Sequence, residues 1–247
     1  MIRVEALSKS FGALHAVRDL SFTAQGGRIT SIIGPNGAGK STVFNLIAGT
    51  LRPDGGRVVL DGEDVTGLTS YALAQRGIAR SFQITNLFFG LTVFENVRLA
   101  CQSRERRSRF LVRVDRLRPP AARAGAIVAE FALSETAKEL VGNLSHGDQR
   151  RLEIAVCMAL DPRVLLLDEP TQGMSPTETA AIDALIKSLA GRVTVLLIEH
   201  DIDLVMSISD HVVVMHLGQK LFEGSPAAVR ANAAVREAYL GVEHAAA

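Results

Sequence analysis

Tryptophan is absent from the sequence, and only two tyrosines and two cysteines occur among its 247 residues. Cys101 and Cys157 form no CxxC pattern. Their spacing argues against a disulfide framework and against a cysteine-based zinc site, so idle or buried thiols are expected. Long hydrophobic runs are absent as well, since no apolar stretch approaches the roughly 18 to 20 residues that cross a bilayer. We therefore expect a chain that does not span a membrane.

An excess of charge of either sign is also missing. Lys+Arg 27 against Asp+Glu 26 leaves a formal net charge of +1, which gives no electrostatic reason to expect a nucleic-acid partner. The opening segment MIRVEALSKSFG lacks the apolar central run of a secretory signal, so a cytoplasmic location is expected. With 47% hydrophobic residues, the chain can bury the core of one large domain, or of one domain with an inserted lobe.

Three apolar runs each end at polar residues. ITSII precedes Gly34, VLLL precedes Asp168, and VTVLLIEH ends at His200. Continuous runs of this length are typical of strands that are buried on both faces of a parallel sheet. Ligands of such sheets bind beyond the carboxyl ends of the strands, so the three polar ends are predicted to meet at one crevice.

The remaining patterns predict two additions to this sheet. Residues 57–60 (RVVL), followed by Asp61-Gly62, indicate an edge strand and turn of an antiparallel β piece. The strand signal disappears between residues 91 and 159, which predicts an inserted helical lobe. Its clearest helix covers residues 104–117, where apolar and arginine side chains fall on different faces, and Pro119-Pro120 are expected to stop it.

A glycine-rich segment follows the first apolar run and precedes a helical pattern. GPNGAGKST fits G-x-x-x-x-G-K-[ST] in the strand, loop and helix context that a phosphate loop requires. Its glycines allow successive N–H groups to converge on phosphate oxygens, and the helix dipole adds to the same anion site. Lys40 is expected to bridge the β- and γ-phosphates, and the Ser41 hydroxyl to bind magnesium. The predicted nucleotide contacts are Gly34, Pro35, Asn36, Gly37, Ala38, Gly39, Lys40, Ser41 and Thr42.

Two acidic residues and a histidine stand at the other two strand ends. Asp168 is placed to hold magnesium beside the phosphate loop, because that ion prefers oxygen ligands. Glu169 is placed to orient or deprotonate the attacking water. His200 is expected to contact the γ-phosphate or to hold the water and Glu169 in place.

A further segment, Leu144–Ala155 (LSHGDQRRLEIA), resembles the signature of the ABC ATPases, and we call it the signature segment. The order of motifs matches that family over nearly the whole chain. The motifs are Phe11, the phosphate loop, ARSFQ with Gln83, the signature segment, VLLLDEP, SPTET and IEHD. The resemblance implies one domain, residues 1–247, with an α/β phosphate-loop NTPase core of RecA-like type, a mostly parallel sheet and an antiparallel β subdomain. The core would comprise residues 1–87 and 160–247, and an inserted α-helical subdomain residues 88–159.

The resemblance also implies roles that spacing alone does not give. Phe11 would stack on adenine, with Val17 nearby, and Gln83 would touch magnesium and the water. Ser145 and Gly147 would contact the γ-phosphate held by the opposite subunit, so that one active site needs two chains.

Two residues of the signature segment depart from the common LSGGQ wording. His146 replaces a glycine, which we expect to be tolerated, and Asp148 replaces the glutamine. An additional anion at position 148 is expected to oppose nucleotide binding unless solvent or Arg150 screens it.

Among branches of the family, GIARSFQ, LFFGLTVFENV, SHGDQRRLEIA and DEPTQGMSP most resemble the ATPases of branched-chain amino acid importers. The resemblance implies ATP and Mg²⁺ as cofactors and a second ABC ATPase subunit, identical or similar. It also implies integral membrane permease subunits, a periplasmic binding protein acting indirectly, and a peripheral position on the inner face of the cell membrane.

Two other functions stay open at this point. One is a soluble ABC ATPase acting on nucleic acid or ribosomes, which only the eight arginines between Arg104 and Arg123 favour. A solvated amphipathic helix explains these arginines as well, and anionic lipid or a partner is a further alternative. The other function is a non-catalytic nucleotide-binding regulator, which the set of Asp168, Glu169 and His200 disfavours.

Overall fold

The computed structural model describes residues 1–81, 87–103 and 118–243. Within these ranges a six-stranded sheet has the order β10-β9-β3-β8-β7-β6. Its strands are β3 (Ile29–Ile33), β6 (Ile78–Arg80), β7 (Val164–Asp168), β8 (Thr194–Ile198), β9 (His211–His216) and β10 (Gln219–Gly224). All neighbouring pairs are parallel except β9 with β10, which confirms the mostly parallel core sheet.

The three predicted apolar runs form adjacent strands. In β3, β7 and β8 every residue is buried, because helices or another sheet cover both faces. Leu166 of β7 pairs with Leu196 of β8, and Ser31 of β3 pairs with Leu197 of the same strand. Because the three strands are parallel neighbours, their carboxyl ends lie along one edge of the sheet, as predicted.

A second sheet is antiparallel, with the order β2-β1-β4-β5. Its strands are β1 (Ile2–Phe11), β2 (Leu14–Ala24), β4 (Gly55–Leu60) and β5 (Glu63–Asp64). The prediction of an edge strand at residues 57–60 is wrong, since β4 pairs with β1 on one side and with β5 on the other. The true edge, β5, has only two residues, too few to produce an alternating pattern.

The helical lobe consists of α3 (Val93–Ser103), α4 (Arg118–Glu130) and α5 (His146–Ala159), with a 3-10 turn at Val141–Asn143. Pro119 and Pro120 lie in the first turn of α4, where a proline removes no helical hydrogen bond. In the described part of the chain, these two prolines therefore stand at the beginning of α4. The predicted helix 104–117 and most of the arginine cluster lie outside the described residues.

Of the other described helices, four connect strands and the last two follow β10. They are α1 (Lys40–Ile47), α2 (Ser70–Gln75), α6 (Pro176–Leu189), α7 (Ile202–Ile208), α8 (Pro226–Ala231) and α9 (Ala233–Glu243). Four of them begin with a serine, threonine or aspartate side chain that accepts a backbone N–H, and Ser175 at the start of α6 forms a complete capping box with Glu178. In the described ranges, no helix is both long enough and apolar enough to cross a bilayer.

The hydrophobic core has a layer on each face of the central sheet. On one face, Leu165 and Leu197 pack in the same cluster as Val97 and Leu152 of the helical lobe. On the other face, Leu166 and its neighbours pack against α1 and the antiparallel sheet. The lobe therefore shares one continuous core with the sheet. Cys101 and Cys157 are free and buried in it, and burial raises the pKa of Cys157 to about 12.

We expect Leu197→Ala to lower the free energy of unfolding by about 2–5 kcal/mol, because it leaves a cavity between the sheet and the helical lobe. Urea unfolding followed by circular dichroism measures this change. Leu140→Ala is the control, since Leu140 is 46% exposed and its truncation leaves no buried cavity. An equal loss in both variants would contradict the placement of Leu197 in the central layer.

Candidate nucleotide-binding site

The loop between β3 and α1 has the backbone that a phosphate loop needs. Gly37 and Gly39 have φ angles of 79° and 97°, and Gly39 is the N-terminal cap of α1. A Cβ on Gly39 would come within 2.3 Å of the Ala16 carbonyl oxygen, so only glycine allows this loop to lie against β2. The sequence folds here into a tight turn that directs the start of α1 toward the carboxyl end of β3.

The Lys40 side chain folds back over this loop. Its ammonium group donates to the carbonyl oxygens of Gly34 at 2.6 Å and Pro35 at 3.1 Å. Burial lowers the pKa of Lys40, and the nearby charges of Glu169 and Asp168 oppose that shift. The amine is thus held among oxygen acceptors beside two carboxylates, a position from which it can bind a phosphate instead.

A cavity of about 600 Å³ lies along the loop. Residues 36–42 and Glu169 supply a polar part of its lining. Phe11, Leu14 and Leu217 supply an apolar part, and these three side chains are well exposed. The cavity therefore offers groups that can bind an anion and apolar side chains that suit the flat face of a base.

Some of the predicted nucleotide contacts lie away from the cavity wall. Gly34 and Pro35 contribute carbonyl oxygens to Lys40 but do not line the cavity. Val17 is 1% exposed and belongs to the core, so the structure does not bring its side chain to the cavity. Sequence reasoning missed five residues of β2 and of the β9-β10 turn that also line it: Leu14, His15, Ala16, Arg18 and Leu217. Alternation along β2 was the signal available, since Ala16 and Arg18 flank the inward-facing Val17.

Asp168 ends β7 and is 3% exposed. Its Oδ2 atom forms an ion pair with Arg80 at 2.9 Å, and Arg80 also donates to Oδ1 of Asn45 in α1 at 2.6 Å. The Arg80 guanidinium lies 5.9 Å from the centre of the Phe44 ring. Arg80 thus links the carboxylate to the helix of the phosphate loop, and this residue was also missed.

Glu169 has a left-handed backbone conformation, with φ at 46°. This conformation is costly for a residue with a side chain and is often found at functional sites. Its N–H donates to the Ile198 carbonyl at 2.9 Å, and its own carbonyl accepts from Arg150 at 3.4 Å. The strand β8 and helix α5 therefore hold Glu169 at the rim of the cavity.

His200 is not among the residues that line the cavity, and its side chain is 60% exposed. Its Nδ1 atom lies 3.6 Å from Oε2 of Glu199. Glu199 is fully buried and accepts hydrogen bonds from the Thr171 hydroxyl at 2.6 Å and the Thr171 N–H at 3.1 Å. Glu199, which the sequence analysis did not predict, thus links Thr171, two residues after Glu169, to the segment that carries His200. A glutamate at the end of a fully buried strand was the available signal.

Ser145 and Gly147 of the signature segment do not line this cavity. Ser145 caps α5, accepting from the Asp148 N–H at 3.1 Å and donating to Oδ2 of Asp148 at 2.9 Å. The arginine that pairs with Asp148 is a neighbour of Arg150. Arg151 pairs with Asp148 at 3.2 Å, whereas Arg150 pairs with Glu153 at 2.6 Å. Residues three apart share a helix face and residues two apart do not. Gln83 lies outside the described residues.

Arg80→Met should lower the free energy of unfolding by roughly 3–5 kcal/mol, because it leaves the buried Asp168 carboxylate without its cation. Chemical denaturation without nucleotide measures the loss. Adding Asp168→Asn should recover part of it, since the double variant buries no unpaired charge. If the two single losses simply add, Arg80 and Asp168 do not stabilise the fold as a pair.

Known protein families and their members match this chain over most of its length. The family profile described as ABC transporter matches residues 17–172, and the profile described as Branched-chain amino acid ATP-binding cassette transporter matches residues 219–245. The chain is 44% identical over 252 residues to the High-affinity branched-chain amino acid transport ATP-binding protein BraF of Pseudomonas aeruginosa, with 98% of each chain covered.

Solved structures give the same result. The ADP conformation of MJ1267, an ATP-binding cassette of an ABC transporter, matches with a TM-score of 0.86 and 30% sequence identity, covering 98% of each chain. A dimeric post-hydrolysis state of the cassette MJ0796 bound to ADP and Pi matches with a TM-score of 0.77 and 26% identity, covering 92% of this chain and 99% of that chain. The resemblance inferred from the motifs is confirmed: the chain belongs to the ABC transporter family of ATP-binding proteins, which are ATPases.

Proposed function

We propose that this chain powers the import of branched-chain amino acids, or of related small polar solutes, by hydrolysing ATP beneath a membrane permease. The observation that carries the proposal is the separation of two half-sites. The cavity brings together the phosphate loop, Phe11 and Glu169, while Ser145 and Gly147, the predicted capping donors, do not line it. The similarity to the BraF transport protein supports the class of cargo.

In this proposal ATP binds along the cavity with its base against the apolar side chains. Phe11, which is 47% exposed, stacks on adenine, and Leu14 and Leu217 flank the ring. The backbone N–H groups of the phosphate loop and the Lys40 ammonium bind the phosphates, so the lysine exchanges the Gly34 and Pro35 carbonyls for phosphate oxygens. Asn36–Thr42 thereby take the roles that the motif predicts.

Two side chains are proposed to hold Mg²⁺ beside the phosphates. Ser41 supplies a hydroxyl at the cavity and Asp168 supplies a carboxylate, both oxygen ligands that suit this ion. Among the described residues no cluster of three or more His, Cys, Asp or Glu side chains could hold a metal, which fits an ion bound mainly by water and nucleotide. When bound, Mg²⁺ neutralises charge on the β- and γ-phosphates.

Glu169 is proposed to orient or deprotonate the attacking water, since it lines the cavity together with residues 36–42. His200 would join it only after its exposed side chain moves inward, and buried Glu199 stabilises the segment from which it moves. Gln83 is proposed to contact Mg²⁺ and the water.

A second ATPase subunit, identical or similar, is proposed to complete the site. Its Ser145 and Gly147 would cap the γ-phosphate bound by the first chain, using a hydroxyl and an N–H at the start of α5. The dimeric cassette MJ0796, whose structure holds ADP and Pi, supports pairing of two such chains. Closure of the pair upon ATP binding would then move the permease.

The helical lobe is proposed to contact the permease through an exposed apolar patch formed by Phe88, Phe89 and Leu140. The bridge between Thr92 and Leu140 holds the two segments of this patch together. Such a contact would hold the chain peripherally at the cytoplasmic face of the membrane, with a periplasmic binding protein acting only through the permease.

The core comprises residues 1–87 and 160–247 and the lobe residues 88–159 in this proposal. The alternative of a machine acting on nucleic acid or ribosomes is disfavoured, because the relatives are transport proteins.

Glu169→Gln should leave ATP affinity unchanged and reduce turnover by at least about 100-fold, because a positioned base contributes this much to proton transfer. A phosphate-release assay measures turnover, and equilibrium dialysis measures binding. Glu237→Gln on exposed α9 removes the same charge away from the cavity and should keep full activity. Normal turnover in the Glu169 variant would remove this residue from the catalytic role.

Phe11→Ala should weaken ATP binding by about 5- to 100-fold, the loss expected when one aromatic ring no longer stacks on a base. Titration of the isolated protein with a fluorescent ATP analogue measures the affinity. Phe89→Ala is the control, since Phe89 is exposed to a similar extent on the helical lobe. Equal affinities in the parent and the Phe11 variant would place the base elsewhere.

A further inference from the structure

Both donors of the signature segment lie beside carboxylates of the same chain. The Ser145 hydroxyl donates to Oδ2 of Asp148 at 2.9 Å. The carboxylate of Glu178 in α6 lies beside Gly147; hydrogen bonds from Ser175 are the main cause of its lowered pKa, and the Gly147 N–H lowers it further. A Cβ on Gly147 would lie 3.0 Å from Oε1 of Glu178, so this carboxylate sits directly over the glycine.

These carboxylates have the charge and the acceptor geometry of a phosphate oxygen. Ionised oxygens form the stronger hydrogen bonds with hydroxyl and N–H donors, and the N-terminus of a helix favours a negative charge. Asp148 lies in the first turn of α5 and is further fixed by Arg151 at 3.2 Å. Glu178 is fixed by Ser175, whose N–H and hydroxyl both donate to Oε2. Each carboxylate is thus held in place by a second partner.

We propose that Asp148 and Glu178 act as internal substitutes for the γ-phosphate, and that they must release Ser145 and Gly147 before the signature segment can cap a nucleotide. This inference rests on the proposed function, because it assigns the same donors to the partner's ATP. Ser145 has one hydroxyl proton, so its bond to Asp148 and a bond to a phosphate oxygen exclude each other. Asp148 and Glu178 are therefore positioning residues that oppose closure of the dimer.

Competition between the Asp148 carboxylate and a phosphate oxygen for the Ser145 hydroxyl explains how the aspartate at position 148 opposes capping of the nucleotide. A neutral side chain there would accept a weaker hydrogen bond from Ser145 and would not repel the approaching phosphate. The carboxylate instead stabilises the unpaired subunit, and closure then requires the stronger set of contacts that ATP provides. Permanent pairing without nucleotide is disfavoured in this way.

The test uses the full chain with Glu169→Gln, so that bound ATP is not consumed. Asp148→Asn in this background should lower the protein concentration at which ATP and Mg²⁺ produce half-maximal dimer by about tenfold, because a charge-assisted bond is replaced by a neutral one. Analytical ultracentrifugation measures the dimer, and ATP affinity at low protein concentration should stay unchanged. Glu178→Gln should act in the same direction, with thermal unfolding used to verify that α6 stays folded. Glu237→Gln is the matched control and should have no effect.

The outcomes separate the inference from the proposed function. If the Glu169→Gln parent forms no dimer with ATP, pairing of this chain through the signature segment is wrong and the inference is wrong with it. If the parent dimerises and Asp148→Asn has the same midpoint, only the inference is wrong. A gain that disappears in about 0.5 M salt would also overturn it, since screened repulsion and not a shared donor would then explain the effect.

Discussion

The parallel pairing of β3, β8 and β7 is the constraint on which the rest of the structure depends. Because all three strands run the same way and are adjacent, the segments that follow them start at one edge of the sheet. The phosphate loop, the Asp168-Glu169 pair and the Glu199-His200 pair are therefore neighbours without being close in sequence. Burial on both faces fixes the register of these strands, and helices and the antiparallel sheet supply that burial.

Polar groups at this edge are held by contacts that cross between elements. Arg80 from β6 links Asp168 to α1, Arg150 from α5 reaches the Glu169 carbonyl, and Glu199 from the end of β8 holds Thr171. The Arg150 contact joins the rim of the cavity to α5 of the helical lobe. It is a direct physical link through which a change at Glu169 would reach the lobe.

Much of this architecture could be predicted from the sequence, because long apolar runs and a phosphate loop are strong local signals. Features that depend on pairing in space could not. The two-residue β5 is too short to detect, and the partner of Asp168 lies on a different strand. The burial of Val17 and the ion-pair partner of Asp148 depend on side-chain direction. Strand alternation turns Val17 inward, and helix spacing directs Arg151, not Arg150, toward Asp148.

The shared core of the sheet and the helical lobe limits how the lobe can rearrange. Val97 and Leu152 of the lobe belong to the same packed cluster as Leu165 and Leu197 of the sheet. A wide hinge opening would expose this apolar surface to water at high cost. Small sliding displacements, which keep the side chains interdigitated, are much less costly. The packing of the lobe on the sheet therefore favours small shear displacements over a wide hinge opening.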